Sequence, residues 1–406
     1  MIFKLAWRNL FRNKRRTIIA GIAIAIGLGA LIFLDAIYTG EEVLLPQIAT
    51  STFLGEAQIT HEQYRVRQTV DLTIQDFDET LGMLAENPYV EAFTARAQAF
   101  GTISSARDVR GISIYGIVPE TERKMSILDE VMVEGEYLTG DNTRDAIIGT
   151  KLAEILGVSL GDRIVLSAAQ AISGDIAQEL FRVSGIFDFG DRSMNSGTVF
   201  IGLDVAQRLL GIGETAHTIV LKFLDTNYSR DTTTAFWSDF SKGGNVAVSW
   251  VQIMPEIATI DEMMLIGKIS MSVILMGVVI FVILNTLFMA LYERMFELGV
   301  LRALGTRPIG VAKLLMFEAG ALSIVGIVFG VTLGFTITAL MTHIGFDFSG
   351  MEFSGIALRE KLYPVMKLYQ FIIYPVGVFI FTLIVGIYPA VHAARIAPSK
   401  AMRKTM

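Results

Sequence analysis

Residues 17–34 read TIIAGIAIAIGLGALIFL, a run of eighteen residues without a charge that lies between Arg16 and Asp35. An α-helix needs about 20 consecutive apolar residues to cross the hydrocarbon core of a bilayer. This stretch therefore predicts a membrane-spanning helix, which we place at residues 17–38. A cleaved signal peptide is the alternative, but the apolar core of a signal peptide has only about 7–15 residues and ends at a small-x-small site. We expect the segment to remain in the chain as the first span.

Three further uncharged runs of membrane-spanning length follow: Ile269–Leu291, Ala319–Phe346 and Leu368–Val391. We place the second, third and fourth spans at residues 264–291, 319–346 and 368–391. Residues 39–263 contain no apolar run of this length. The predicted fold class is therefore an α-helical membrane protein with four transmembrane helices and a large α+β domain between the first two.

The composition agrees with a membrane protein. Hydrophobic residues make up 52% of the 406 residues and charged residues only 18%, whereas soluble domains average about 25% charged residues. Residues 39–263 hold 33 acidic and 16 basic residues, a net charge of -17, while the rest of the chain holds 7 acidic and 18 basic residues, a net charge of +11. An acidic domain without a basic stripe is not expected to bind nucleic acid. The sequence has no cysteine, which excludes disulfides and cysteine metal sites.

Basic residues indicate the orientation, because Lys and Arg accumulate in short cytoplasmic segments. They precede the first span, separate spans two and three, and follow span four, at Lys4, Arg8, Arg12, Lys14, Arg15 and Arg16, at Arg294, Arg302, Arg307 and Lys313, and at Arg395, Lys400, Arg403 and Lys404. We expect a basic amphipathic helix at 1–16, a segment at 292–318 and a basic tail at 392–406, all in the cytoplasm. The 39–263 domain and the 347–367 loop then lie on the outer side.

Apolar spacing in residues 39–263 indicates mixed α and β structure. We predict helices over Asp76–Ala95, Ala146–Leu156, Leu203–Leu210 and Arg230–Ser241, and strands that include Arg163–Ser167, Leu180–Phe187 and Asn245–Val251. The polar stretch Asp188–Gly197 is predicted to be a loop. The order of elements suggests two subdomains, an α/β part built from both ends of the segment and a β-rich part inserted between them.

The large domain shows no catalytic constellation. His61 and His217 are its only histidines, and without cysteine a zinc site would have to use scattered carboxylates. We interpret each histidine as a hydrogen-bonded structural residue. The chain also lacks the GxxxxGK[ST] loop that binds ATP phosphates. We therefore expect a non-catalytic chain that binds no cofactor itself.

Two features of the third span concern packing and charge. Gly326, Gly330 and Gly334 recur every four residues, which places them on one helix face and predicts a seam for close helix packing. Glu318 lies at the start of this span, and we attribute its charge to solvation at the membrane interface.

The segment after the second span, Tyr292–Pro308, reads YERMFELGVLRALGTRP. It has helical spacing and ends in Gly and Pro, the residues that commonly terminate a helix. We expect it to continue the second span without a break and to expose an apolar strip consisting of Leu298, Leu301 and Leu304. Such a strip suits a helix that docks in a partner's groove. A helix on the membrane surface is the alternative.

Three stretches resemble the permeases of the MacB, LolC/LolE and FtsX superfamily of ABC transporters. Glu293–Gly305, with the pattern ERxxELGVLRALG, is similar to their cytoplasmic coupling segment. Leu5–Thr17 resembles the basic helix before their first span, and Pro389–Pro398 resembles their C-terminal end. One span, a large domain and three more spans is also the superfamily's layout.

The resemblance implies a mechanotransmission permease in the bacterial inner membrane, with a periplasmic large domain and no motor of its own. It implies two copies of a separate ABC ATP-binding subunit, which would hold ATP and Mg, and a second permease chain, identical or homologous. Membrane lipids are the remaining partner. The coupling residues carried over are Glu293, Arg294, Glu297, Leu298, Leu301, Arg302, Leu304 and Gly305.

In its length and in the stretch Asp162–Leu210, the chain is most similar to the LolC/LolE lipoprotein-release permeases. In that family a hairpin before the strand at 180–187 can hook a periplasmic lipoprotein carrier. The matching segment is Ala168–Gln178, which is short and lacks proline; its candidate contacts are Ala168, Gln170, Ser173, Gly174 and Gln178. We expect lipoprotein extraction. The alternatives are MacB-like efflux of peptides, toxins or small molecules with an adaptor protein, and FtsX-like signalling to a cell-wall enzyme.

Overall fold

The computed structural model describes residues 14–140, 142–347, 352–353, 356–357 and 361–395. The chain forms two compact units. The helical unit contains the described residues up to 44, 260–347 and from 361 onward, and the large domain contains 45–259 with 352–353 and 356–357. The predicted segments 1–16 and 392–406 lie outside the described residues apart from 14–16 and 392–395, and the predicted loop 347–367 is described only in part.

The helices are α1 (Lys14–Ala49), α2 (Tyr64–Arg67), α3 (Phe77–Ala85), α4 (Pro119–Glu122), α5 (Thr150–Leu156), α6 (Arg192–Gly197), α7 (Leu203–Leu210), α8 (Ala235–Asp239), α9 (Trp250–Ile253), α10 (Pro255–Glu293), α11 (Met295–Ala303), α12 (Pro308–Ile344) and α13 (Gln370–Arg395). The strands are β1 (Ala57–His61), β2 (Val90–Ser104), β3 (Val109–Ile117), β4 (Met132–Gly135), β5 (Asp145–Gly149), β6 (Arg163–Ala169), β7 (Ile176–Phe187), β8 (Thr198–Gly202), β9 (Thr218–Phe223), β10 (Asn245–Ser249), β11 (Glu352–Phe353) and β12 (Ile356–Ala357). A π-helical turn at Thr50–Leu54 and a 3₁₀ turn at Thr226–Ser229 complete the regular structure.

Four helices of the described chain are long and apolar enough to cross a membrane, α1, α10, α12 and α13, which confirms the predicted number of spans. A helix suits this environment because its interior N–H and C=O groups bond within the segment. Each helix extends beyond its uncharged run. For example, α12 begins at Pro308, since a proline in the first turn removes an N–H that has no helical partner there.

Gly326, Gly330 and Gly334 lie on one buried face of α12 and pack against α1. A Cβ added to Gly326 would lie 2.7 Å from the Cβ of Ile24, and one added to Gly330 would lie 2.9 Å from the Cβ of Leu28. Carbon atoms prefer a separation of about 3.5–4.0 Å. The missing side chains therefore allow the two helices to approach closely.

Replacing Gly326 with Ala should lower the melting temperature of the detergent-solubilised chain, because overpacking a tight contact costs roughly 1–3 kcal/mol. Gly277→Ala is the matched control, since nothing lies within 4 Å of a Cβ added at that helical position. Thermal unfolding followed by circular dichroism measures both variants. Equal melting temperatures for Gly326→Ala and the wild type would contradict the close packing.

The strands β1–β10 form one sheet in the order β10-β1-β9-β2-β3-β8-β5-β7-β4, with β6 paired to β2 and β7. The first half of β2 pairs with β9 and its second half with β6. One hydrophobic core draws on both ends of the domain, including Ile59, Leu84 and Phe236. Separate cores form within residues 97–210. The cores thus follow the predicted division into two subdomains, although the sheet runs through both.

Two predicted helices of the large domain are wrong in extent. The helix predicted over Asp76–Ala95 ends at Ala85, and β2 begins at Val90. The Asn87-Pro88 pair explains the early end, because a residue before proline is disfavoured in the helical region. The helix predicted over Ala146–Leu156 begins only at Thr150, since residues 146–148 are buried in β5 between β7 and β8.

Further along the chain, the predicted helix Arg230–Ser241 is reduced to α8. The predicted loop Asp188–Gly197 contains α6, whose first turn is capped by the carboxylate of Asp191. That carboxylate accepts hydrogen bonds from the N–H groups of Ser193 and Met194, a favoured way to start a helix. By contrast, α7 has the predicted bounds Leu203–Leu210 and is capped by Gly211, which has a positive φ.

Arg96 and Glu122 form a buried ion pair inside the large domain. Nε and Nη2 of Arg96 donate to the two carboxylate oxygens of Glu122, at 2.9 and 2.7 Å. Nη1 donates to the carbonyl of Phe53, and the guanidinium lies 3.7 Å from the centre of that residue's ring. The two-pronged geometry is strong and directional. It joins β2, α4 and the segment before β1.

Glu122→Ala should destabilise the large domain by about 3–5 kcal/mol, because it leaves the Arg96 charge buried without its partner. Glu120→Ala is the control, since Glu120 is exposed on the same short helix. Urea unfolding can be followed by tryptophan fluorescence, because two of the three tryptophans, Trp237 and Trp250, lie in the large domain. A variant with the wild-type urea midpoint would show that the pair does not stabilise the domain.

Candidate functional site

The predicted unbroken helix after the second span is wrong, because the chain turns at Arg294. Helix α10 ends at Glu293 and α11 begins at Met295, with Arg294 at φ -107° and ψ 13° between them. Nη1 of Arg294 lies 2.9 and 2.8 Å from the two carboxylate oxygens of Glu318, and its Nε lies 3.3 Å from Oε2 of Glu297. The helix is interrupted at Arg294, and the guanidinium of this residue is held by two carboxylates.

Glu318 is not solvated at the membrane interface as predicted. It is buried on α12, and Arg294 rather than water balances its charge. A buried ion that loses its partner is strongly destabilising. The pair therefore fixes the start of α11 against α12. Sequence reasoning missed this pairing because nothing in a single sequence shows which basic residue reaches Glu318.

The apolar residues of α11 divide into buried and exposed members. Leu298 is only 4% exposed and packs in a core with Leu291, Val311, Leu315, Ala390 and Ala393. Its predicted place in the exposed strip is therefore wrong. Leu301 is 38% exposed and Leu304 is 80% exposed. These two residues, called the docking strip below, are the part of the predicted strip that a partner could contact.

Two further contacts hold the end of α11. Nη1 of Arg302 donates to the carbonyl of Ala394 in the last turn of α13, at 3.3 Å. Gly305 has φ +95°, a conformation that L-residues rarely adopt, and it stops the helix before Pro308 starts α12. Arg294, Leu298, Arg302 and Gly305 thus position the segment, while the docking strip remains open. Contact of any of these residues, or of Glu293 and Glu297, with an ATPase stays a prediction.

The segment Ala168–Gln178 forms a short hairpin between β6 and β7. The N–H of Gln170 donates to the carbonyl of Asp175 at 2.9 Å, and Gly174, at φ +70°, donates its N–H to the carbonyl of Gln170. Ser173 donates to Oε1 of Gln170 at 3.3 Å, and Gln178 pairs with Ser167. The N–H of Ala171 bonds to Leu210, so the turn is anchored to the end of α7.

The tip of this hairpin carries an apolar residue that the sequence reasoning did not single out. Ile172 is 92% exposed, and Ile176 at the start of β7 is 72% exposed. Large contiguous apolar patches mark contact surfaces, whereas scattered exposed apolar residues are ordinary. Carrier binding by the hairpin therefore stays a prediction.

Both histidines of the large domain have hydrogen-bond partners, as interpreted from the sequence. His217 is buried; its Nδ1 accepts from the N–H of Gln98 at 3.0 Å, so its Nε2 carries the proton and donates to Val70 at 2.9 Å. Burial lowers the pKa of His217, which favours the neutral ring. Nδ1 of His61 accepts from the N–H of Gln63. Among the described residues, no three His, Asp or Glu side chains are grouped to hold a metal ion.

Comparison with known proteins relates both units to membrane permeases. A MacB-like periplasmic core domain model matches residues 17–235, more than half of the chain, and an FtsX-like permease C-terminal model matches residues 269–398. The chain is 24% identical to the "Lipoprotein-releasing system transmembrane protein LolC" of Xylella fastidiosa, over 98% of this chain and 97% of that protein.

Two other relatives extend this relation. The chain is 22% identical to the "Lipoprotein-releasing system transmembrane protein LolE" of Haemophilus influenzae, over 98% of each protein. It is 20% identical to the "Macrolide export ATP-binding/permease protein MacB" of Psychrobacter cryohalolentis, over 99% of this chain but only 59% of that protein.

Replacing both Leu301 and Leu304 with Asp should abolish copurification of an ATP-binding subunit, because the new charges would be buried without partners at the docked surface. Membrane insertion should not change, since both side chains lie outside the buried core of α11. Leu224→Asp is the control, because Leu224 is 65% exposed in the large domain, outside the predicted spans. Copurification of the ATP-binding subunit at the wild-type level would show that the docking strip is wrongly assigned.

Proposed function

Because the chain belongs to the family of MacB-like and FtsX-like ABC transporter permeases, we propose that it extracts lipoproteins from the bacterial inner membrane. In this role it is the membrane-spanning subunit, and a separate ATPase supplies the energy. The observation that carries the proposal is the full-length match to LolC and LolE, the two proteins named as lipoprotein-releasing. Efflux and signalling are the alternatives that the experiment below must separate from it.

The sequence supports a separate motor, because it has no GxxxxGK[ST] loop to bind nucleotide phosphates. We therefore assign ATP and Mg to two copies of an ABC ATP-binding subunit, and no cofactor or catalytic step to this chain. A second permease chain, identical or homologous, would complete the complex.

The contacts of α11 support a mechanical role. ATP-driven closure of the ATPase pair would press on the docking strip. The Arg294–Glu318 ion pair would pass the displacement to α12, and the bond from Arg302 to Ala394 would pass it to α13. A short helix clamped at both ends transmits force better than a free loop, because it cannot absorb the displacement by bending.

Apolar surfaces on the helices that flank the large domain in the chain suit an acylated cargo. Several side chains of α1 and α10 are exposed in the helical unit, including Ile18, Ile22, Ile26, Val273, Ile274, Val278 and Phe281. Such surfaces can contact lipid, a second permease chain or the acyl chains of a lipoprotein. For extraction we expect the space between paired helices to open sideways to the bilayer. A periplasmic lipoprotein carrier, or an adaptor protein for efflux, would then act at the large domain.

The proposed orientation places both termini and α11 in the cytoplasm and the large domain in the periplasm. Arg294, Arg302, Arg307 and Lys313 gather around α11 in the sequence, and basic residues of this kind stay on the cytoplasmic side. This orientation brings the docking strip to the compartment in which ATP is available.

When the protein is depleted in its native host, acylated lipoproteins should remain in the inner membrane. Membrane fractionation and mass spectrometry of the lipoproteins measure this, with re-expression of the wild-type chain as the control for recovery. Re-expression of the Leu301→Asp, Leu304→Asp double variant should not restore sorting. Normal lipoprotein sorting with new sensitivity to toxic compounds would contradict the proposal and favour efflux.

A further inference from the structure

Asp35 is a buried residue in the second half of α1, the helix that leads into the large domain, and it is only 2% exposed. In the sequence, Asp35 directly follows the first uncharged run and Lys268 directly precedes the second. In the structure they meet, with Nζ of Lys268 on α10 lying 3.1 Å from Oδ1 of Asp35. The pair therefore connects α1 to α10.

Three more side chains donate to the same carboxylate, all from α13 or the residue before it. The hydroxyl of Tyr374 donates to Oδ1 at 2.7 Å, the hydroxyl of Tyr369 to Oδ2 at 2.6 Å, and Nε2 of Gln370 to Oδ2 at 2.8 Å. A carboxylate has about four lone-pair positions. Asp35 thus has a donor for each position, supplied by α10 and by α13 with the residue before it.

Lys268 has fewer acceptors within reach of its ammonium group than an exposed lysine would have. Nζ of Lys268 lies 3.5 Å from Glu42 on α1 and 3.4 Å from the hydroxyl of Tyr369. Breaking the contact with Asp35 would leave a largely buried carboxylate without its counter-ion, which is unfavourable in a low-dielectric environment. Separation of α1 from α10 at this level is therefore opposed by electrostatics and not only by packing.

Backbone contacts show that the same region is closely packed. The N–H of Val365 donates to the carbonyl of Ala36 at 2.9 Å. A Cβ on Gly40 would overlap the carbonyl oxygen of Tyr363, so only glycine fits there. Residues 361–370 thus pack closely against the second half of α1, and the ionic contacts lie at the centre of this junction.

The order of the helices along the chain explains why these contacts matter. Helix α1 leads into the large domain and α10 leads out of it, so Asp35 and Lys268 lie on its two connections to the membrane. We propose that Asp35 is a positioning residue whose contacts with Lys268, Tyr369, Gln370 and Tyr374 make α1, α10 and α13 move as one body. A displacement that enters at α11 then reaches both connections together. The role given to this joint movement rests on the proposed function, but the experiment that tests the movement does not.

The test uses spin labels, which are specific here because the sequence has no cysteine. Val43→Cys on α1 and Leu265→Cys on α10 provide exposed labelling positions in the helical unit. In the full chain in nanodiscs we expect one narrow distance distribution. Lys268→Met should add a longer, broader population, while Lys367→Met, which removes an exposed lysine, should leave the distribution unchanged.

Further variants separate positioning from folding. Asp35→Asn combined with Lys268→Met removes both charges, so no buried charge is left unpaired, and keeps an amide oxygen at position 35 that can still accept hydrogen bonds from the donors before and on α13. We expect this double variant to fold with wild-type yield and melting temperature, yet to show the broadened distance distribution. A folded Lys268→Met variant and a folded double variant that both keep the narrow distribution would overturn the inference.

The same variants distinguish failure of the inference from failure of the proposed function. In the complex with its ATPase, Lys268→Met should retain ATP hydrolysis and lose most lipoprotein release. If the wild-type complex releases no lipoprotein while the distance distribution still broadens in Lys268→Met, the proposed function fails and the positioning role stands. If the wild-type complex releases lipoprotein and Lys268→Met releases it equally, with an unchanged distance distribution, only the positioning role fails.

Discussion

The exclusion of water from the hydrocarbon core is the constraint on which the helical unit depends. It requires backbone groups to bond within each helix and charges to find partners inside the protein. The four uncharged runs meet the first requirement. The ion pair of Asp35 with Lys268, in the first half of α10, meets the second, and Arg294 pairs with the buried Glu318 directly after the end of that helix. The apolar runs thus set which segments cross the membrane, and the charges set which helices hold together.

Much of the fold is predictable from patterns that depend on neighbours in the sequence. Uncharged length identifies the spans, and apolar spacing before Gly211 identifies α7 with its observed bounds. The pattern fails where a tertiary partner decides. Residues 146–148 are a short apolar run that fits a buried strand or a helix equally well. The neighbouring strands β7 and β8 decide in favour of the strand.

The same distinction holds for the candidate site. The sequence identifies α11 as amphipathic, and Gly305 and Pro308 correctly mark its end. It cannot show which leucine faces inward, because Leu298 is buried by tertiary packing, in a core that includes Val311 on α12 and Ala390 on α13. The partners of Glu318 and Asp35 are equally hidden, since each carboxylate pairs with a residue distant in the chain. Burial and pairing of this kind depend on helix packing, which a single sequence does not encode in any local pattern.

We propose above that this permease takes its motion from a separate ATPase that docks at α11. The most direct test is to purify the tagged chain from native membranes in mild detergent and to determine composition and ATP hydrolysis together. We predict an ABC ATP-binding subunit in a one-to-one ratio with permease chains, and ATP hydrolysis that is lost when that subunit's phosphate-binding loop is mutated. A purified, folded permease that brings no ATP-binding subunit and supports no ATP hydrolysis would contradict the claim.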